Sequence, residues 1–144
     1  MPVERTYIDT SVLGAYYCPE PLSAVAESAL RRSKVPVISV LSEVELHSLI
    51  ACKRRLKELD ARQAIDIIEL FDAHVAEGYY QRMALSTEHF IKARQLIASM
   101  VSSLRTLDAL HLAVALCESL TLMTADQDLA KAARRHKSDV LLVR

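Results

Sequence analysis

The chain has 144 residues, 51% of them hydrophobic, which suits one domain with a proper core and excludes a disordered segment. Lys and Arg total 18, as do Asp and Glu, so the zero net charge rules out a global polyanion-binding field and leaves nucleic-acid contact to local patches. With Gly14 and Gly78 as the only glycines, GxGxxG and Walker-type phosphate loops are excluded, and no run approaches the roughly 18 apolar residues of a membrane span.

Val3 to Ile8, β-branched and aromatic, reads as a first strand that stops at Asp9. Thr10 or Ser11 then caps a helix opening with Val12 and Leu13. Pro19-Glu20-Pro21 breaks the chain, and Pro21 suits the first position of a helix running to about Arg32. Val35 to Val40 is a second buried strand. The helix after it, Leu41 to Arg55, carries Glu43, Glu45 and His47 near its start and Lys53-Arg54-Arg55 at its end. Asp60 and Gln63 form a capping-box pattern for a long amphipathic helix bearing Ala64, Ile67, Ile68, Phe71 and Val75, closed by Gly78. Tyr79 to Leu85 reads as a third strand, and Ser86 caps a helix that Ser102-Ser103 interrupts. Thr106 caps the next helix, Leu107 to about Glu118, which is apolar nearly all round. Thr121 to Thr124 is a fourth strand, Asp126 to about His136 a helix, and Asp139 to Val143 a last strand.

Strands alternating with helices predict an α/β fold, a mainly parallel sheet of four to five strands covered on both faces, in one domain over residues 1–144. Cys18, Cys52 and Cys117 form no CxxC pair and read as small buried apolar residues in a reducing cytoplasm. The start, Met1 to Arg5, lacks a basic segment followed by an apolar stretch, so no signal peptide is expected.

The acids recur at comparable places. Open α/β sheets bind ligands beyond the carboxyl ends of their strands. Asp9 stands at such an end after strand one, and Asp126 after strand four with Asp128 two residues on. Glu43 and Glu45 follow strand two, facing differently, so only one of them points into a common site. Asp108 and His111 share one face of the apolar helix at Leu107. A buried carboxylate needs a partner or a metal, and clustered carboxylates raise one another's pKa values. Each acid also has a plainer reading as a helix cap or a first-turn charge. Gathered on one sheet edge, they form an all-oxygen ligand set that points to Mg²⁺ or Mn²⁺, with His111 a hydrogen-bonded neighbour. Such a site suits attack of metal-activated water on a phosphodiester.

Four segments carry a resemblance over essentially the whole chain. These are Tyr-Ile-Asp9-Thr-Ser-Val-Leu, Val-Glu45-Leu with a basic stretch after it, Leu-Arg-Thr-Leu-Asp108-Ala-Leu-His-Leu-Ala, and Thr124-Ala-Asp126. In them the chain resembles the PIN-domain family, and within it VapC-like toxins of toxin–antitoxin pairs. The resemblance implies a three-layer α/β/α fold and a Mg²⁺- or Mn²⁺-dependent endoribonuclease. It maps a catalytic quartet onto Asp9, Glu45, Asp108 and Asp126, with Asp9, Asp108 and Asp126 on metal and Thr10, Thr124 and Asp128 in support. Glu45 is preferred to Glu43 by its Val-Glu-Leu framing, and Asp128 is an alternative or helper to Asp126. The resemblance also implies a homodimer and an antitoxin partner, no membrane association, and RNA as substrate. RNA backbone contacts would come from Lys53, Arg54 and Arg55, or from Lys131, Arg134 and Arg135.

Two other classes share the architecture. A phospho-accepting receiver domain wants an acidic pair before the first helix and a lysine after a late strand. Residues 10 to 17 carry no acid, and no lysine follows strand four before Lys131. A catalytically silent PIN-like binding module is the other, against which the complete acidic set counts. Haloacid-dehalogenase phosphatases need an aspartate where Ser11 stands.

Overall fold

The computed structural model describes residues 3–144, with side chains from residue 5 onward, so the expectation about a signal peptide at Met1 lies outside the described residues in part. Five strands, β1 (Val3–Ile8), β2 (Ser33–Ser39), β3 (Gln81–Met83), β4 (Thr121–Thr124) and β5 (Val140–Leu142), form one sheet in the order β3-β2-β1-β4-β5. Every pairing is parallel. Among the described residues seven helices connect them: α1 (Thr10–Tyr17), α2 (Ser23–Arg32), α3 (Val40–Arg55), α4 (Ala61–Ala76), α5 (Thr87–Ala98), α6 (Thr106–Cys117) and α7 (Gln127–Arg135).

From β1 the chain winds outward through β2 to β3, then returns to place β4 on the other side of β1. Right-handed crossovers put the connecting helices on opposite faces when the winding direction reverses. The core divides accordingly. Strand residues alternate between faces, as a period of two requires. Ile8, Ile38 and Met123 pack with Val12, Leu13, Ala26, Leu46, Ile50, Ile67 and Phe71 of α1–α4. Tyr7, Val37 and Leu122 pack with Ala93, Leu96, Ala113, Leu129 and Ala133 of α5–α7. The three-layer α/β/α expectation is what the structure shows. The order also differs from the 2-1-3-4-5 arrangement of receiver-type folds. Between β1 and β4 the two windings diverge, and that crevice is where the site lies.

Local chemistry explains the element ends. Asp60 accepts from the Gln63 amide at 2.8 Å while Gln63 returns a bond to the Asp60 amide at 2.9 Å, the capping box expected there. Gly78 adopts φ +78, a left-handed conformation that ends the α4 region. Gly14 allows α1 to approach α3, since a Cβ there would lie 2.5 Å from Leu49 Cδ2.

Several boundaries differ from expectation. Pro21 lies in a turn and α2 begins at Ser23, whose hydroxyl donates to Ala15 O and accepts from the Glu20 amide. The third strand is only Gln81–Met83, because it sits at the sheet edge with one partner, β2. Thr106 is the first residue of α6 and Arg105 occupies the cap position, with no side-chain cap bond. Cys18 is buried, but Cys52 is half-buried and Cys117 exposed, since α6 emerges from the core at its C-terminal end. Among the described residues no helix is long and apolar enough to cross a membrane.

Candidate active site

Asp9 ends β1 and occupies the cap position of α1, yet its side chain makes no cap bond. Its backbone amide donates to Met123 O at 2.9 Å, which stitches the end of β1 to β4. The carboxylate is turned into the crevice and is 5% exposed. Oδ2 accepts from Ser11 Oγ at 2.6 Å and from Thr124 Oγ1 at 2.9 Å. Two hydroxyl donors on one oxygen fix the group and leave Oδ1 facing the site, 4.0 Å from His111 Nε2.

Thr124 and Ser11 couple the two strand ends. The fully buried Thr124 hydroxyl donates to Asp9 and accepts from the Asp126 amide at 3.0 Å. Ser11 Oγ donates to Asp9 and accepts from the Ala125 amide at 2.9 Å. Asp126 itself caps α7, its Oδ1 accepting from the amides of Asp128 (2.8 Å) and Leu129 (3.1 Å). The capping reading of Asp126 therefore holds for one oxygen, and Oδ2 is the one that remains for a ligand.

Glu45 and Glu43 separate as their offset on α3 requires. Glu43 turns to the sheet edge and pairs with Arg82 at 3.0 Å. Glu45 turns to the crevice, where Oε1 accepts from Thr10 Oγ1 at 3.0 Å and from His111 Nε2. His111, fully buried on α6, meets the Tyr7 hydroxyl at its Nδ1, 2.7 Å away, and Tyr7 also bonds Ser39 Oγ at 2.8 Å. His111 is thus spent on side chains at both nitrogens. Burial pushes the Tyr7 phenol up to about 12, so it stays protonated. Burial works against an imidazolium at His111, but the Glu45 hydrogen bond and the charges of Asp9, Glu45 and Asp108 outweigh it and raise its pKa. For Glu45, burial is likewise outweighed by His111 and Thr10, and its carboxyl is held below the usual range.

Asp108, in the first turn of α6, is half-buried. Its pKa is raised by burial first and then by the charges of Asp9, Asp126 and Glu45, against a smaller relief from His111. Four acids from β1, α3, α6 and the β4–α7 junction therefore share one electrostatic environment. Asp128 is exposed and lines a small cleft with Asp108, Ser103 and Leu104. On the other flank, Thr10, Ser11, Glu45, Ser48, Leu49, Cys52 and Leu107 line an open cleft of about 370 Å³. As the side chains stand, no three acidic, His or Cys groups among the described residues close into a metal cage. The oxygen-only donors left over, Asp9 Oδ1, Asp108 and Asp126 Oδ2, suit a hard dication that keeps part of its water shell.

Sequence reasoning missed two participants. Ser11, with Thr10 one of the two candidates to cap α1, lies inside that helix and orients Asp9 through its hydroxyl. Tyr7, expected only as part of the first strand, buttresses His111 through its hydroxyl. The only signal for either was proximity to Asp9. The basic run Lys53-Arg54-Arg55 lies at the far end of α3, where Lys53 pairs with Glu58 at 3.1 Å.

The sequence profile of the PIN domain matches residues 6–135. The sequence matches none of the curated proteins compared with it. Among solved structures the fold is similar to FitAcB from Neisseria gonorrhoeae, with TM-score 0.75, 17% identity, and coverage of 94% of this chain and 96% of that one. It is similar to VapBC2 from Rickettsia felis bound to a promoter DNA fragment (TM-score 0.69, 14% identity, 96% and 98% covered). It is also similar to Mycobacterium tuberculosis VapC20, a Sarcin-Ricin loop cleaving toxin (TM-score 0.68, 19% identity, 88% and 94% covered).

Proposed function

The chain belongs to the PIN domain family, and from that premise we propose that it is a Mg²⁺- or Mn²⁺-dependent endoribonuclease, the toxin of a toxin–antitoxin pair. One observation carries the reading: Asp9 and Asp126, from strands separated by over a hundred residues, are tied through the Thr124 hydroxyl at the crevice where the sheet reverses its winding. Glu45 meets the same crevice through His111, which lies 4.0 Å from Asp9, and Asp108 feels the charges of Asp9, Asp126 and Glu45.

In this reading Asp9, Asp108 and Asp126 hold the dication, with water completing its shell. When bound, the ion lowers the pKa of attacking water and offsets charge developing on the phosphodiester. The protein's own groups do the rest. Ser11 and Thr124 hold the Asp9 carboxylate in one rotamer. His111 and Thr10 keep Glu45 ionised with Oε1 occupied, so that Oε2 orients the attacking water. Burial first, and then the charges of Asp9, Asp126 and Glu45, raise the Asp108 pKa, and a dication would remove the repulsive part of that penalty.

VapC20, a Sarcin-Ricin loop cleaving toxin, supports RNA as the substrate; a small antitoxin partner, a homodimer and a cytoplasmic location are proposed with it from the family resemblance. The test is cleavage of a mixed RNA pool with Mn²⁺. Wild type cuts; Asp9→Asn loses at least about 100-fold, beyond the range for outer-shell residues, with an unchanged circular dichroism spectrum. Equal cleavage by both proteins would sink the proposal, and labelling of Asp9 by acetyl phosphate would favour the receiver class instead.

A further inference from the structure

Beside the acidic crevice lies a second cleft lined by two cations and one acid. The loop over residues 99–105 joins α5 to α6 and faces one side of α7. Between them, Ser102, Ser103, Asp128, Lys131, Ala132 and Arg135 line a space of about 220 Å³. The α7 residues are spaced i, i+3, i+4 and i+7, one helix face, and Ala132 in their midst leaves the room. The wall is anchored: Arg135 Nη1 donates to Val101 O, and Ser102 Oγ lies 3.3 Å from His136 Nε2. A guanidinium has five N–H donors, so this bond leaves the others for an anion.

The cleft is continuous with the catalytic acids. Ser103, Asp128 and Ala132 also line the small cleft that contains Asp108. Charge therefore runs from negative at Asp108 and Asp128 to positive at Lys131 and Arg135, over about 10 Å from residue 128 to 135 at 1.5 Å per residue. Arg134 is exposed on another face and is not part of the wall. The competing basic run is worse placed, because Lys131 follows Asp126 by five residues, about 7.5 Å along α7, whereas Arg54 follows Glu45 by nine, about 13.5 Å along α3, and Lys53 is already paired with Glu58.

We propose that the cleft between the 99–105 loop and α7 seats the backbone phosphate next to the scissile one, gripped by Lys131 and Arg135 with the Ser102 and Ser103 hydroxyls as further donors. The assignment rests on the nuclease reading and adds a direction to it: the RNA strand leaves the acids across α7 and not along α3. Such contacts fix register and carry no base information.

The experiment titrates fluorescein-labelled octauridylate against the full chain in EDTA, where no cleavage occurs, and separately measures Mn²⁺-dependent cleavage. Lys131 is exposed, so Lys131→Gln leaves the fold intact. Losing one single-strand phosphate contact lowers the slope of log affinity against log salt by about 0.7, a loss of about fivefold at 0.1 M salt. In cleavage, KM rises by the same factor at constant kcat. Wild-type affinity and KM in Lys131→Gln, the loss appearing in Arg54→Gln instead, or no binding by wild type each overturn the subsite. Lys131-dependent binding without any Mn²⁺-dependent cleavage keeps the subsite and overturns the hydrolytic reading.

Discussion

Asp9 is useful because of two hydroxyls that do no chemistry themselves. Ser11 and Thr124 both donate to its Oδ2, and in the proposed nuclease such groups, which orient a metal-binding carboxylate, typically matter by 10–100-fold. Ser11→Ala and Thr124→Val should each lower Mn²⁺-dependent cleavage within that range, with a weaker apparent affinity for Mn²⁺. Asp108 presents the opposite balance of function and stability. Its pKa is raised by burial and by Asp9, Asp126 and Glu45. An aspartate whose folded pKa exceeds the unfolded value of about 3.9 holds its proton more tightly in the native state. Its stabilising effect is complete below the unfolded pKa and is lost as pH rises through the folded one. Asp108→Asn should therefore melt higher than wild type at pH 7 in EDTA, by about 2–4 °C for each kcal/mol of repulsion relieved. The gap should close as pH falls into the carboxylate range, and the same variant should be inactive. A lower melting temperature at pH 7 would contradict the electrostatic account.

Elements meet at the carboxyl edge of the sheet through one buried polar chain. Ser39 at the end of β2, Tyr7 on β1, His111 on α6, Glu45 on α3 and Thr10 on α1 bond in succession. The chain reaches from one helical layer over the sheet edge to the other. Removing one member of a buried ion pair leaves its partner desolvated, at about 3–5 kcal/mol, the low end applying here because Glu45 is half exposed. His111→Ala should thus lower unfolding free energy by about 3 kcal/mol in urea titrations, and reduce cleavage because Glu45 loses its anchor. His111→Gln, which can still donate to Glu45, should recover part of both. The apolar character of α6 has a simpler cause. Ala109 to Ala115 are all buried between the sheet and α5, so the only polar side chains from Asp108 to Cys117 are Asp108 at the mouth and His111 one turn on.

At the scale of the whole molecule, the acids converge only in the folded state, so a dication that binds there stabilises the fold by mass action. At 100 times its dissociation constant Mn²⁺ adds about 2.7 kcal/mol. Wild type should show this as a concentration-dependent rise in melting temperature, absent in Asp9→Asn. An equal rise in both would place the ion elsewhere.

Sequence alone determined the alternation of strands and helices, the parallel sheet and the list of acids at strand ends. These follow from local rules: hydrophobic period, caps and strand-terminal carboxylates are written in consecutive residues. The Val-Glu-Leu framing already favoured Glu45 over Glu43, but only the tertiary structure supplied their partners, Arg82 for Glu43 and His111 for Glu45, since two acids two apart on a helix differ in direction and direction has meaning only against β3 and α6. Likewise the hydroxyls of Ser11 and Tyr7 acquired partners 114 and 104 residues away, at the Ala125 amide and His111. Contacts of that separation depend on how the two windings meet at β1 and β4, which no stretch of chain encodes by itself.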